Sequence, residues 1–154
     1  MKLIMIDKSV KNIVISLLFA LNAPLLLIPV EKILPYPFIV EELAKMLSVI
    51  LLIRSTRLSQ KHASKWVLAA GFLFTLSETM LYQLNYSLAG NRSLFFSRLI
   101  CTGLLHTGTM LVMYVFGRKS WWGLLPGFAA AAAVHYFYNN LLLGAPQMML
   151  GTYF

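Results

Sequence analysis

From Ile13 to Val30 the chain carries no charged residue, and comparable apolar runs recur after Pro37, Lys65, Ser97 and Ser120. A helix rises about 1.5 Å per residue, so about 20 apolar residues cross the hydrocarbon core of a bilayer. In lipid each backbone N–H and C=O must be satisfied inside its own segment, so such runs fold as helices. Composition agrees. The 154 residues are 59% hydrophobic and 12% charged, whereas a soluble domain has about 25% charged residues. Mean hydropathy is +0.75. The expected fold is all-α: a polytopic membrane helix bundle of about five transmembrane helices. It forms a single integral membrane domain over residues 1–154, with helices near 13–30, 38–53, 66–84, 98–116 and 121–143.

The first run has a basic start and an apolar centre, as signal peptides do, and Leu21-Asn22-Ala23 looks a little like a cleavage site. Pro24 directly after Ala23 argues against cleavage, and the apolar run continues past it. The segment is expected to be a retained helix, kinked or ended by Pro24 and Pro29. Cys101 is the only cysteine. That excludes an intramolecular disulfide and a multi-cysteine metal site, and its apolar flanks suggest a small packed residue in a helix.

The net charge of +8 does not point to nucleic acid, because the bases sit in the polar gaps between apolar runs rather than on one exposed face. Their distribution instead orients the chain. With the N-terminus inside, the inner segments hold Lys2, Lys8, Lys11, Arg54, Arg57, Lys61, Lys65, Arg118 and Lys119. The outer segments hold only Lys32, Arg92 and Arg98. Nine against three favours an N-terminus inside and a C-terminus outside. A prokaryotic cytoplasmic membrane is the expected location, and the lipid bilayer is itself a partner.

Several polar residues fall inside the apolar runs. Glu41, Glu42 and Lys45 lie in the second, Glu78 in the third, His106 in the fourth, and His135 with Asn139 in the fifth. Charges in lipid cost about 2.5–3.5 kcal/mol each on insertion scales, so chains that keep them generally use them. Depth is informative. Glu41 and Glu42 lie about 5 Å inside the start of their helix, Glu78 about 10 Å from the Asn85 end, His106 about 12 Å from Arg98, and His135 about 12 Å from Leu143. Alternating topology puts those four ends on one side, so four helices bring polar groups into one half of the bilayer. The charge count makes it the outer half. Met80, Met110 and Met113 are expected to be core or lipid-facing filler.

Glu41-Glu42-x-x-Lys45, Phe74-x-x-x-Glu78, Arg98 with His106, and His135-x-x-x-Asn139 follow one another in successive helices. This order resembles the PrsW family of intramembrane proteases, within the superfamily of type II CAAX prenyl proteases and bacteriocin-processing proteins. The resemblance runs from Glu41 to Asn139. It implies an intramembrane endopeptidase that cuts a membrane-anchored protein near its outer side. A glutamate of the first motif and His106 would activate water, and His135 and Asn139 would hold the oxyanion. Lys45, Glu78 and Arg98 would support them, Glu78 standing where related proteases carry a histidine.

Which of Glu41 and Glu42 is the base stays open. Glu41 and Lys45, at i and i+4, share a helix face and are expected to pair, leaving Glu42 aimed towards Glu78 or the histidines. No cofactor is expected, because His135 and Asn139 suit oxyanion donation and asparagine is a poor zinc ligand. The competing arrangement is a zinc site on Glu78, His106 and His135, two histidines and a carboxylate with an open fourth position. A non-catalytic scaffold or a proton-relay transporter would keep the same buried groups. A transporter is expected to show internal symmetry, and the sequence has no repeat.

Overall fold

The computed structural model describes residues 8–31, 33–55, 60–88 and 94–144. They form α1 (Lys8–Glu31), α2 (Pro37–Ile53), α3 (Gln60–Leu88), α4 (Leu94–Gly117) and α5 (Leu124–Gly144), with a single 3₁₀ turn, Trp121–Gly123, before α5. There is no strand among the described residues. Lys32 and Arg92, expected outside, and Lys2 and Arg57, expected inside, lie outside the described residues.

The architecture is the expected all-α bundle, and three of its helices are long and apolar enough to cross a membrane: Lys8–Val30, His62–Leu84 and Phe95–Gly117. α2 has 17 residues and carries Glu41, Glu42 and Lys45, which puts it outside that measure. Hydropathy located the apolar centres but not the helix ends. α3 begins at Gln60 rather than Trp66, and α4 at Leu94 rather than Arg98, because the hydrogen-bonded helix continues into polar residues beyond the apolar stretch. Pro24 and Pro29 do not end α1, which runs through both to Glu31. Pro37 opens α2, a position where a missing N–H costs nothing.

α1 packs along α2 and α3, and α3 along α4, which in turn packs on α5. Serines fasten α1 to α2: Ser16 Oγ donates to Ser48 O at 3.0 Å, and Ser55 Oγ to Ser9 O at 3.4 Å. An apolar core of Val49, Leu52, Val67, Ala70, Met110, Met113 and Ala131 fills the end of the bundle away from the polar set. At that end Arg54 lies over Trp121, 5.1 Å from its centroid. Cys101 is on α4 as expected but exposed rather than packed; Thr102, one position on, takes the inward-facing slot.

The α3–α4 seam is what sets the site's dimensions. A Cβ on Gly71 would lie 2.7 Å from Thr107 Cα, so the helices touch backbone to backbone beside His106. Gly71→Ala should therefore cost about 1–3 kcal/mol, as overpacking does. Gly108, which has nothing within 4 Å of its would-be Cβ, is the control: Gly108→Ala should be neutral or stabilising by up to about 1 kcal/mol. Unfolding titrations in detergent micelles measure both, and equal effects of the two would refute the close-seam account.

Candidate functional site

Six of the polar residues singled out in the sequence meet at one place. α2 brings Glu41, Glu42 and Lys45. α3 brings Glu78, α4 His106 and α5 His135. Glu42, Lys45, His106 and His135 are buried, the first two completely. Glu41 and Glu78 keep 16% and 15% side-chain exposure, so the cluster is reached from their side.

The contacts form one chain across four helices. Lys45 Nζ donates to Glu42 Oε1 at 2.5 Å and lies 2.8 Å from His106 Nδ1. The other nitrogen of His106, Nε2, is hydrogen-bonded to Glu78 Oε2. Glu42 Oε1 also meets His135 Nδ1 at 2.7 Å. His135 Nε2 then faces Glu41 Oε2 across 3.8 Å. Charge in a low-dielectric interior is tolerated only when paired and hydrogen-bonded, and each charged group of the set faces a partner of opposite charge or an imidazole.

The pairing within α2 differs from the expected one. Lys45 bonds Glu42 at i−3, not Glu41 at i−4. Both spacings put side chains side by side on a helix, and the tertiary partners decide between them. Glu42 points inward, where His135 also reaches it, while Glu41 turns to the more open side. Glu42 Oε2 is buried with no hydrogen-bond partner among the described residues, whereas Oε1 takes two. Glu42, held through Oε1 by Lys45 and His135, is thus a structural anion, and Glu41, whose Oε2 is buried as well, is the carboxylate with the greater side-chain exposure.

Phe74 has a role the sequence did not reveal. Its ring lies 5.2 Å from Lys45 Nζ and 5.0 Å from the His106 ring, centroid to centroid. A cation over an aromatic face is stabilised by about 0.5–2 kcal/mol. Phe74 and Glu78 are one turn apart, so the Phe-x-x-x-Glu spacing sends an aromatic to the lysine and a carboxylate to the histidine. Phe38, 6.0 Å from the His135 ring, was missed altogether; unlike Phe74, which the motif marks, it does not stand out in a chain so rich in aromatics.

Asn139 lies one turn beyond His135, partly buried, with no hydrogen bond among the described residues. Arg98 falls in the first turns of α4, and its side chain lies outside the described residues. For a metal, the residues whose ligand atoms lie within 4.8 Å of one another, among the described residues, are Glu41, His106 and His135. Glu78, hydrogen-bonded to His106 Nε2, is not in that group, which alters the ligand set expected from the sequence. No protein-family model, curated protein or solved structure matches the chain.

Proposed function

We propose that the chain is an intramembrane endopeptidase that hydrolyses a peptide bond of a membrane-anchored protein in the outer half of the bilayer. The observation that carries this reading is the facing pair of Glu41 Oε2 and His135 Nε2, 3.8 Å apart, with the oxygen itself buried and the Glu41 side chain 16% exposed beside it. Two acceptors at that separation are within the span of one water, which sits about 2.8 Å from each. The order of motifs from Glu41 to Asn139, which resembles the PrsW family, supports the same reading.

The chemistry runs as follows. The water gives a proton to the Glu41–His135 pair while its oxygen bonds the scissile carbonyl carbon, and the carbonyl π electrons move onto oxygen. The Asn139 amide, one turn from His135, is the donor for that oxyanion. As the C–N bond breaks, the proton held by the pair passes to the leaving amine. Glu42, Lys45, His106 and Glu78 keep the pair in place. Five membrane passes with the N-terminus inside place the site's half of the bilayer outward, supported by the excess of Lys and Arg in the segments assigned to the inner side.

A metalloprotease reading draws on the Glu41, His106 and His135 grouping. Tetrahedral zinc with bonds of about 2.0–2.1 Å sets its ligands roughly 3.4 Å apart. The Glu41–His135 gap, at 3.8 Å, is close to that, but both nitrogens of His106 already have partners. The metal-free arrangement therefore fits better.

The test compares membrane proteins trimmed in cells carrying the wild-type chain and the His135→Gln variant. Fragments that disappear in the variant are the expected result. Identical membrane proteomes together with proton flux in liposomes would replace the protease with a proton relay, and identical proteomes without flux would leave a scaffold. Cleavage by purified protein should survive chelator; loss of cleavage with stoichiometric zinc in the untreated protein would overturn the metal-free mechanism.

A further inference from the structure

The two buried histidines sit in different company, and their partners dictate where each carries its proton. Lys45, 2.5 Å from a carboxylate oxygen, is an ammonium, which has three donors and no acceptor. Facing it at 2.8 Å, His106 Nδ1 has to be the acceptor. The ring proton is then on Nε2, where Glu78 Oε2 receives it. His135 is the reverse. Its Nδ1 meets Glu42 Oε1 at 2.7 Å, an oxygen that only accepts, so the proton is on Nδ1. Its Nε2 keeps a lone pair, directed to the side of Glu41.

We propose that the Glu78–Lys45 pair and Glu42 lock His106 and His135 in opposite tautomers, so that His135 is the imidazole that reacts and His106 is a positioning residue. His106 has no lone pair left for water or metal. It ties α4 to α2 and α3 by passing a hydrogen bond from Lys45 to Glu78. His135 presents an acceptor to the water, and Glu42 behind it stabilises the imidazolium formed when the proton arrives. This reverses the emphasis the sequence gave to His106. It also accounts for a carboxylate at position 78: a histidine there would face the Nε2–H of His106 with a weaker, uncharged acceptor.

The division of roles rests on the hydrolase reading; the tautomers do not. Two measurements therefore separate the failures. The first is a long-range proton–nitrogen correlation spectrum of the full chain, labelled with ¹⁵N-histidine, in detergent micelles near neutral pH. The unprotonated ring nitrogen is resolved from the protonated one, and the chain has only three histidines. His62, exposed on α3, is identified by a His62→Gln variant, and His106→Gln identifies the second. The expected spectrum has His106 protonated at Nε2 alone and His135 at Nδ1 alone. The same tautomer in both, the reverse assignment, or an imidazolium at either overturns the proposal.

The second measurement uses the cleavage assay. A glutamine amide accepts through its oxygen and donates through its nitrogen, so Gln at position 106 can bridge Lys45 and Glu78 as the imidazole does. His106→Gln should keep cleavage within about tenfold of wild type, while His135→Gln loses about a hundredfold or more, the usual reach of a proton-transfer group. Equal loss in two variants that both fold would overturn the role assigned to His106. Absence of cleavage by the wild type removes the hydrolase reading and leaves the tautomers to the spectrum.

Discussion

Lys45→Met should destabilise the bundle by about 3–5 kcal/mol, the cost of leaving one member of a buried ion pair without the other. Lys45 is fully buried, with Glu42 Oε1 at 2.5 Å, His106 Nδ1 at 2.8 Å and the Phe74 ring beneath it. Methionine fills much of the same volume but leaves the Glu42 carboxylate with His135 alone. The size of the effect comes from the stranded anion rather than from the lost attraction, which gives a second expectation. Glu42→Met in the Lys45→Met background should restore most of the stability, because a buried pair replaced on both sides by apolar groups is often neutral or better. The double variant should nevertheless be inactive, since His135 loses its backing carboxylate. Unfolding titrations of the four proteins in micelles close the cycle. A Lys45→Met protein as stable as wild type would mean that the pair is not buried as described. Because the pair is enclosed, the coupling should change little with salt, unlike that of a surface ion pair.

What the sequence made legible was depth, and what it hid was direction. Long apolar runs mark helices in lipid because no other local structure satisfies the backbone there, so α1, α3 and α4 could be read without tertiary information. Glu78, His106 and His135 could be placed at one level because helix rise is fixed and the topology alternates. Which way each side chain turns is different. Glu41 and Glu42 are adjacent, about 100° apart around α2, and either could reach Lys45 by local spacing alone. His135, which is 93 positions away in the chain, breaks the tie by meeting Glu42. The same limit explains Phe74: its place under Lys45 depends on how α3 packs against α2 and α4, and only the α3–α4 approach is marked in the sequence, by glycine at position 71. Cys101 was misjudged for a related reason. Apolar flanks do not distinguish the inner from the outer face of a helix that is apolar all round.

The two glutamates of α2 should therefore fail in different ways when each is changed to glutamine. Glu41→Gln is expected to lower cleavage by about 10²–10⁴-fold, the range for losing a group that moves a proton in the transition state. Its stability should fall less than that of Glu42→Gln, because the Glu41 side chain keeps 16% exposure while that of Glu42 is fully buried. Glu42→Gln removes the negative charge that faces Lys45 at 2.5 Å and His135 at 2.7 Å. A glutamine oxygen can still accept both hydrogen bonds, but it leaves the ammonium buried without a counter-ion. The loss expected there is one of stability, again about 3–5 kcal/mol, with cleavage falling as the folded fraction and the placement of His135 fall. Measuring cleavage per folded molecule, with folding read from unfolding titrations in the same micelles, separates the two. The assignment reverses if Glu41→Gln unfolds the protein while Glu42→Gln folds normally and is inactive. That result would make Glu42 the water-facing carboxylate and return Glu41 to the supporting role that its i+4 spacing to Lys45 first suggested.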